Sequence, residues 1–128
     1  MSSCTYSDLS KKAKKHLTNV EKQIKMHFKN NTILSRRIEN TWGISGVTVR
    51  EIVHYLRVVE KEPICSDSSG YFYAKTREDA AHTIRQLRSR IKHINEAACA
   101  LESANYPETE EQIGFGFKLE KKFRGYPD

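Results

Sequence analysis

Residues 35–73 read SRRIENTWGISGVTVREIVHYLRVVEKEPICSDSSGYFY, and this stretch decides the fold. Ile38 and Trp42 lie four residues apart, which predicts the inward face of a short helix. Gly43 follows at once, and glycine permits the positive φ that a tight turn between helices often requires. Ser35 and Ser45 are the predicted N-caps of two helices separated by W-G-I-S, with Ile44 buried in the turn.

The second of these helices is predicted from about Gly46 to Val58. Apolar residues recur at helical spacing, so we expect an inner face of Val49, Ile52, Val53 and Leu56. The outer face is expected to hold Thr48, Arg50, Glu51, His54 and Tyr55. Pro63 prevents the helix from continuing. The segments I-C-S, D-S-S-G and Y-F-Y that follow predict a β-hairpin.

The chain before residue 35 combines positive charge with one helical pattern. Residues 1–30 hold seven lysines against Asp8 and Glu21, a net +5 of the total of +6. Residues 1–15 are predicted to be a basic N-terminal arm or a frayed helix start. A first helix is predicted from about His16, since its apolar residues are spaced by three, four and four: Leu17, Val20, Ile24 and Phe28. Residues 32–34 are a short β-favouring run.

Behind the hairpin, a long helix is predicted to about Ala104. Thr76-Arg-Glu-Asp79 resembles a capping box at its start. The apolar stripe of this helix follows a heptad rhythm and consists of Ile84, Leu87, Ile91, Ile94, Ala98 and Leu101. Such a stripe predicts either pairing with a second copy, as a homodimer, or packing on the first helix of the same chain.

Composition limits the class of protein. A 128-residue chain with 38% hydrophobic and 30% charged residues forms one modest domain with an appended element. We divide it into the arm 1–15, a domain 16–75, the long helix 76–104 and a tail 105–128, docked through Ile113, Phe115, Phe117 and Phe123. Three cysteines without a C-x-x-C motif favour a reducing compartment. No membrane-spanning run or signal peptide is evident, so a soluble cytoplasmic protein is expected.

The quoted stretch resembles a known DNA-binding family. Ile44-Ser-Gly-Val-Thr-Val-Arg-Glu-Ile52 is similar to the start of the recognition helix in biotin-repressor and DeoR-type proteins, and Pro63-Ile-Cys-Ser with Gly70-Tyr71 resembles their wing. Residues 32–73 thus look like a winged helix-turn-helix domain, with a weaker likeness to small phage and prophage winged-helix proteins. The implied fold is mainly α with a small β-hairpin, followed by a long C-terminal helix. Gly46 departs from the pattern, where a larger polar residue is common.

Candidate DNA contacts follow from this arrangement, because an α-helix fits the major groove and its N-terminal residues reach base edges. The candidate base contacts are Ser45, Thr48, Arg50 and His54. The candidate contacts to the DNA backbone are Arg36, Arg37, Arg57, Ser68, Lys11 and Lys12. The hairpin turn has no Lys or Arg, and Asp67 opposes a close approach to phosphate.

The sequence therefore predicts a sequence-specific double-stranded DNA-binding protein. It would be a transcriptional regulator or replication-origin binder of phage or prophage type, nucleoid-associated or, if viral, in the host cytoplasm. The alternative is a protein–protein interaction module, such as a phage-like adaptor or inhibitor of host machinery, on the same scaffold. Catalysis is not expected, since no histidine, cysteine or glycine pattern indicates a nucleophile, a metal site or a phosphate loop. No cofactor is predicted.

Overall fold

The structure, a computed structural model, describes residues 4–107. A short 3₁₀ turn at Tyr6–Asp8 precedes the regular elements, which are α1 (Lys11–Lys25), α2 (Ser35–Trp42), α3 (Gly46–Val58), β1 (Ile64–Asp67), β2 (Gly70–Tyr73) and α4 (Arg77–Glu102). The described chain is mainly helical with one two-stranded antiparallel sheet, which confirms the predicted mainly α fold with a small β-hairpin. Within the described residues, the chain divides into two units, one ending at Gln86 and the other beginning at Leu87.

Helix α1 begins five residues before the predicted start. Of the two alternatives for this segment, residues 11–15 are therefore a helix start and not a loose arm. Ser10 is the N-cap, and its Oγ accepts a hydrogen bond from the amide of Ala13 at 3.1 Å. Leu9 and Ala13 are buried, which explains why this segment is ordered against the core. Glu51 of α3 completes the cap, because its carboxylate accepts from both the amide and the hydroxyl of Ser10, at 2.6 and 3.0 Å.

The turn between α2 and α3 follows the prediction closely. Gly43 adopts φ 65° and ψ 40°, a left-handed conformation in which glycine meets no Cβ penalty. Ile44 is buried, and its amide donates to Glu39 O at 3.1 Å. One detail differs: Leu34 is the N-cap of α2, whereas Ser35 is the first helical residue and its Oγ donates to Glu39 Oε2.

The hairpin pairs Ile64 with Tyr73 and Asp67 with Gly70. A single antiparallel bridge joins Ile33 to Tyr71 on the other side of β2, through hydrogen bonds of 2.9 and 2.8 Å. Gly70 has φ 131°, and a Cβ there would lie 2.4 Å from Ile33 O. The bridge therefore requires glycine at this position.

The main core lies where α1, α2, α3 and the hairpin meet. Its fully buried large side chains are Val20, Ile24, Ile38, Val49, Ile52 and Leu56. The four predicted inner-face residues of α3 are all buried, so that prediction is confirmed. Phe28, by contrast, lies beyond the end of α1 and is 36% exposed.

Helix α4 begins beside the hairpin. Asp79 N donates to Thr76 Oγ1 at 3.1 Å, while the Asp79 carboxylate accepts from the amide of Lys75. Thr83 is buried and its hydroxyl exchanges hydrogen bonds with both the carbonyl and the amide of Ser66.

The predicted heptad stripe of α4 is mostly exposed among the residues described. Ile91 is 62% and Ile94 66% exposed, and Ile84, Ala98 and Leu101 are also exposed; Leu87 is half-buried. No helix within residues 4–107 is long and apolar enough to cross a membrane. The tail residues Ile113, Phe115, Phe117 and Phe123, which we expected to dock, lie outside the described residues.

Candidate nucleic-acid interface

The start of α3 is held firmly by its cap. Ser45 adopts an extended conformation, and its Oγ accepts a hydrogen bond from Thr48 N at 3.2 Å. This is the predicted N-cap, and it satisfies one of the amides that the first turn leaves unpaired. The Ser45 side chain therefore has a structural role besides the base contact predicted for it.

One face of α3 is exposed along its length. Val47, Arg50 and His54 are exposed and follow each other at steps of three and four residues, so they form a row on the surface of the helix. Arg50 and His54 are two of the predicted base contacts, and the structure places them side by side. Val47 is 65% exposed.

Two residues expected on the outer face are buried instead. Thr48 is only 9% exposed and its hydroxyl lies 3.3 Å from Ser45 Oγ, so the expectation that Thr48 lies on the outer face is wrong. Tyr55 is 5% exposed; its hydroxyl donates to Glu60 Oε2, and its ring packs edge-on against Tyr6. Burial raises the pKa of the Tyr55 hydroxyl.

Glu39 of α2 lies beside the exposed row. A Cβ on Gly46 would be 3.2 Å from Glu39 Oε2 and 3.5 Å from Arg50 Nη1, so both side chains pass close to the glycine. The small size of Gly46 leaves room for these two opposite charges at the start of α3. Its absence of a side chain thus has a packing consequence that the sequence alone did not suggest.

Arg57, a predicted phosphate contact, also makes hydrogen bonds within the fold. Its Nε donates to Ile64 O at 2.7 Å and its Nη2 lies 3.4 Å from Ser66 Oγ. The guanidinium thereby ties α3 to β1, and the side chain is half-buried. The Arg57 side chain therefore has a structural role besides the phosphate contact predicted for it.

The other predicted backbone contacts remain on the surface. Arg36 and Arg37 are exposed on α2, and Arg37 lines an open cleft with the exposed side chains of Met26 and Leu34. Ser68 is exposed in the hairpin turn.

Next to Ser68, Asp67 organises the turn. Its Oδ1 accepts from the hydroxyl and the amide of Ser69, at 2.6 and 2.8 Å. The Ser69 hydroxyl bond is the main reason that the pKa of Asp67 is lowered, so this carboxylate stays charged at the tip of the hairpin. This negative charge lies next to Ser68, the backbone contact predicted for the hairpin turn.

The basic N-terminal residues lie on a helix. Lys11 and Lys12 are exposed in the first turn of α1, whereas Lys14 covers the ring of Tyr6, with Nζ 5.3 Å from the ring centre. The backbone that carries these lysines is therefore helical from Lys11 onward.

Within residues 4–107, no group of three histidine, cysteine or acidic side chains is arranged to hold a metal ion. Cys65 is buried, and this burial raises the pKa of its thiol, which disfavours the thiolate.

Sequence reasoning missed Val47. The other apolar residues of this helix are mostly buried, so the exposure of Val47 was not expected. Its position three residues before Arg50 and seven before His54 was the available signal, because those spacings place the three residues on one face.

No protein-family model, curated protein or solved structure matches this chain.

Proposed function

We propose that this protein binds double-stranded DNA sequence-specifically through the exposed row of α3, in the manner of a winged helix-turn-helix domain. The observation behind the proposal is that Val47, Arg50 and His54 lie exposed in a row that begins at the capped end of the helix. Side chains near the N-terminus of a helix are the ones that reach base edges when the helix enters the major groove.

Two further features support the proposal. The order of elements is a helix, a bridging residue, two helices joined by a tight turn and a hairpin, which is the order expected for a winged helix. The chain also has a net charge of +6, with Arg36, Arg37, Lys11 and Lys12 exposed to interact with phosphates. In this function the protein acts by occupying a site, as a regulator of transcription or as a replication-origin binder of phage or prophage type.

Selection from a random duplex library at physiological salt tests the proposal directly. We expect an enriched motif, and binding of that motif should weaken steeply as salt is raised, because phosphate contacts release counterions. Failure to enrich any motif would reject sequence-specific binding.

Arg50→Ala tests the role of α3 in that binding. Loss of a bidentate contact to guanine should cost about 1–3 kcal/mol and relax specificity at one base position. Arg77→Ala removes an exposed arginine from the start of α4 and is the matched control. An equal loss on every duplex sequence would contradict base recognition by Arg50.

The alternative function is a protein-docking module. The observations that favour it are the negative hairpin tip at Asp67 and the exposed apolar side chains of Met26, Leu34 and Val47, which suit a protein surface better than a polyanion. A protein partner bound through these residues would depend weakly on salt, unlike duplex DNA.

We further propose that the protein is a homodimer paired through α4. A twofold dimer would offer two copies of α3 to two half-sites on one duplex. Ile91→Lys should abolish pairing, and sedimentation at micromolar concentration would show the mass falling from two chains to one.

A further inference from the structure

The apolar row of α4, exposed except at the half-buried Leu87, has a pattern of side-chain sizes. It runs through six positions at heptad spacing from Ile84 to Leu101, and five of the six are large. Ala98 is the small one, and the large residue at the mirror-image position of the row is Leu87. A row that is asymmetric in size distinguishes between parallel and antiparallel pairing, because each orientation brings different residues into the same layer.

In a parallel pair in register, every layer joins a residue to its own copy. Ala98 would then face Ala98 of the second copy and leave a void, while Leu87 would face Leu87. In an antiparallel pair, the row matches in reverse order, so that Leu87 of each copy faces Ala98 of the other. Layers that join a large residue to a small one fill space more evenly than layers of two small residues.

Charge along the same stretch is also asymmetric. Residues 84–92 contain Arg85, Arg88, Arg90 and Lys92, all exposed, with no acidic residue. Residues 93–102 contain Glu96 and Glu102, also exposed, with no lysine or arginine. Parallel pairing places the two basic halves side by side, whereas antiparallel pairing places each basic half beside the acidic half of the other copy. Opposite charges attract and helix dipoles oppose each other favourably in the second arrangement.

We infer that residues 84–101 pair with the same segment of a second copy in antiparallel orientation, with Leu87 of one chain facing Ala98 of the other. The packing of sizes and the complementarity of charge favour this orientation independently. The inference rests on the proposed homodimer, but it does not require that the protein bind DNA. The tests below therefore distinguish its failure from failure of the DNA-binding proposal.

Disulfide cross-linking of the full-length chain tests the orientation. Leu87→Cys and Ala98→Cys are made separately, each with Cys4→Ser and Cys99→Ser, so that Cys65, which is buried, is the remaining natural thiol. Each protein is oxidised alone and as an equal mixture of two differently tagged chains. We expect the disulfide between the two different variants to exceed, several-fold, the disulfide that either forms with itself. Predominant self-linking would show parallel pairing and overturn the inference.

Sedimentation of the wild-type chain gives a test without cross-linking. We expect a mass of two chains at micromolar concentration. A chain that stays monomeric throughout the micromolar range would overturn the inference.

Discussion

Helices α3 and α4 both have an apolar stripe at helical spacing, yet the stripe of α3 is buried and that of α4 is mostly exposed. In α3, Val49 and Ile52 are fully buried against α1 and α2; in α4, Ile91 and Ile94 are each more than 60% exposed. The pattern of hydrophobic residues indicates a helix in both cases, but it does not indicate what covers the apolar face. Covering a stripe needs a partner element, and for α3 that partner lies within the chain.

Truncating a buried residue of α3 should affect stability far more than truncating an exposed residue of α4. Ile52→Ala removes a fully buried side chain and should lower the free energy of unfolding by about 2–5 kcal/mol. Ile91→Ala, measured in dilute protein where pairing is absent, should change it by less than about 0.5 kcal/mol. Urea denaturation measures both. Similar losses for the two variants would mean that the α4 stripe is buried within a single chain.

The next effect concerns backbone conformation in the domain that contains α3. Gly70→Ala places a Cβ 2.4 Å from Ile33 O and should destabilise by about 2–4 kcal/mol, because a backbone group must shift. Gly43→Ala is the matched control: Gly43 has φ 65° with no atom within 4 Å of the added Cβ, so only the left-handed penalty of about 1–2 kcal/mol applies. Thermal unfolding should rank the two variants in this order, and the reverse order would contradict the close approach at Ile33.

Arg57 of α3 and Arg88 of α4 should also differ in their contribution to stability. Arg57→Ala should cost about 1–2 kcal/mol, since it removes the donor to Ile64 O. Arg88→Ala on α4 removes an exposed arginine and should cost less than about 0.5 kcal/mol in dilute protein. If chemical denaturation shows no difference between them, the Arg57 bond contributes nothing to the fold.

The smallest effect depends on pH and comes from Glu62 and its neighbour Glu21. The hydrogen bond between them lowers the pKa of Glu62, and bonds from Tyr73 and Lys25 lower it further; the same hydrogen bond is the main reason that the pKa of Glu21 is raised. The stabilisation from Glu62 is present above the ordinary value of 4.5 and is lost as pH falls through its lowered pKa. The contribution of Glu21 has the opposite sign, since it is lost as pH rises through the raised pKa.

Glu62→Gln should therefore flatten the dependence of stability on pH around the ordinary glutamate pKa, by less than about 1 kcal/mol. Glu96→Gln, an exposed glutamate of α4, should leave the curve unchanged. Denaturation across the acidic range measures both. An unchanged curve for Glu62→Gln would show that the pair does not couple protonation to folding.

Much of the fold was predictable because local signals decided it. The bounds of α3, the cap at Ser45, the left-handed Gly43 and the hairpin all follow from residue types that have strong local preferences. The start of α1 was not predictable by the same means. Lys11 to Lys15 suggested a solvated arm, and only the packing of Ala13 and the long-range bond from Glu51 to Ser10 make this segment helical.

The candidate site was predictable only in part, for a similar reason. Arg50 and His54 lie on the exposed face, as their spacing predicted, but Thr48 and Tyr55 sit at the edge of that face and a small rotation of the helix decides their burial. The hydrogen-bond partner of the Arg57 side chain is a strand carbonyl seven residues further along the chain. Neither the exact rotation nor that pairing can be obtained from periodicity.

The bond between Glu51 and Ser10 has a consequence for the cooperativity of folding. An isolated helix of 15 residues is marginal in water, and α1 finds one acceptor for its N-terminal groups 41 positions later in the chain. Helix α1 therefore depends on α3 for part of its stability. We expect the N-terminal helix and the helix that bears Arg50 to form together.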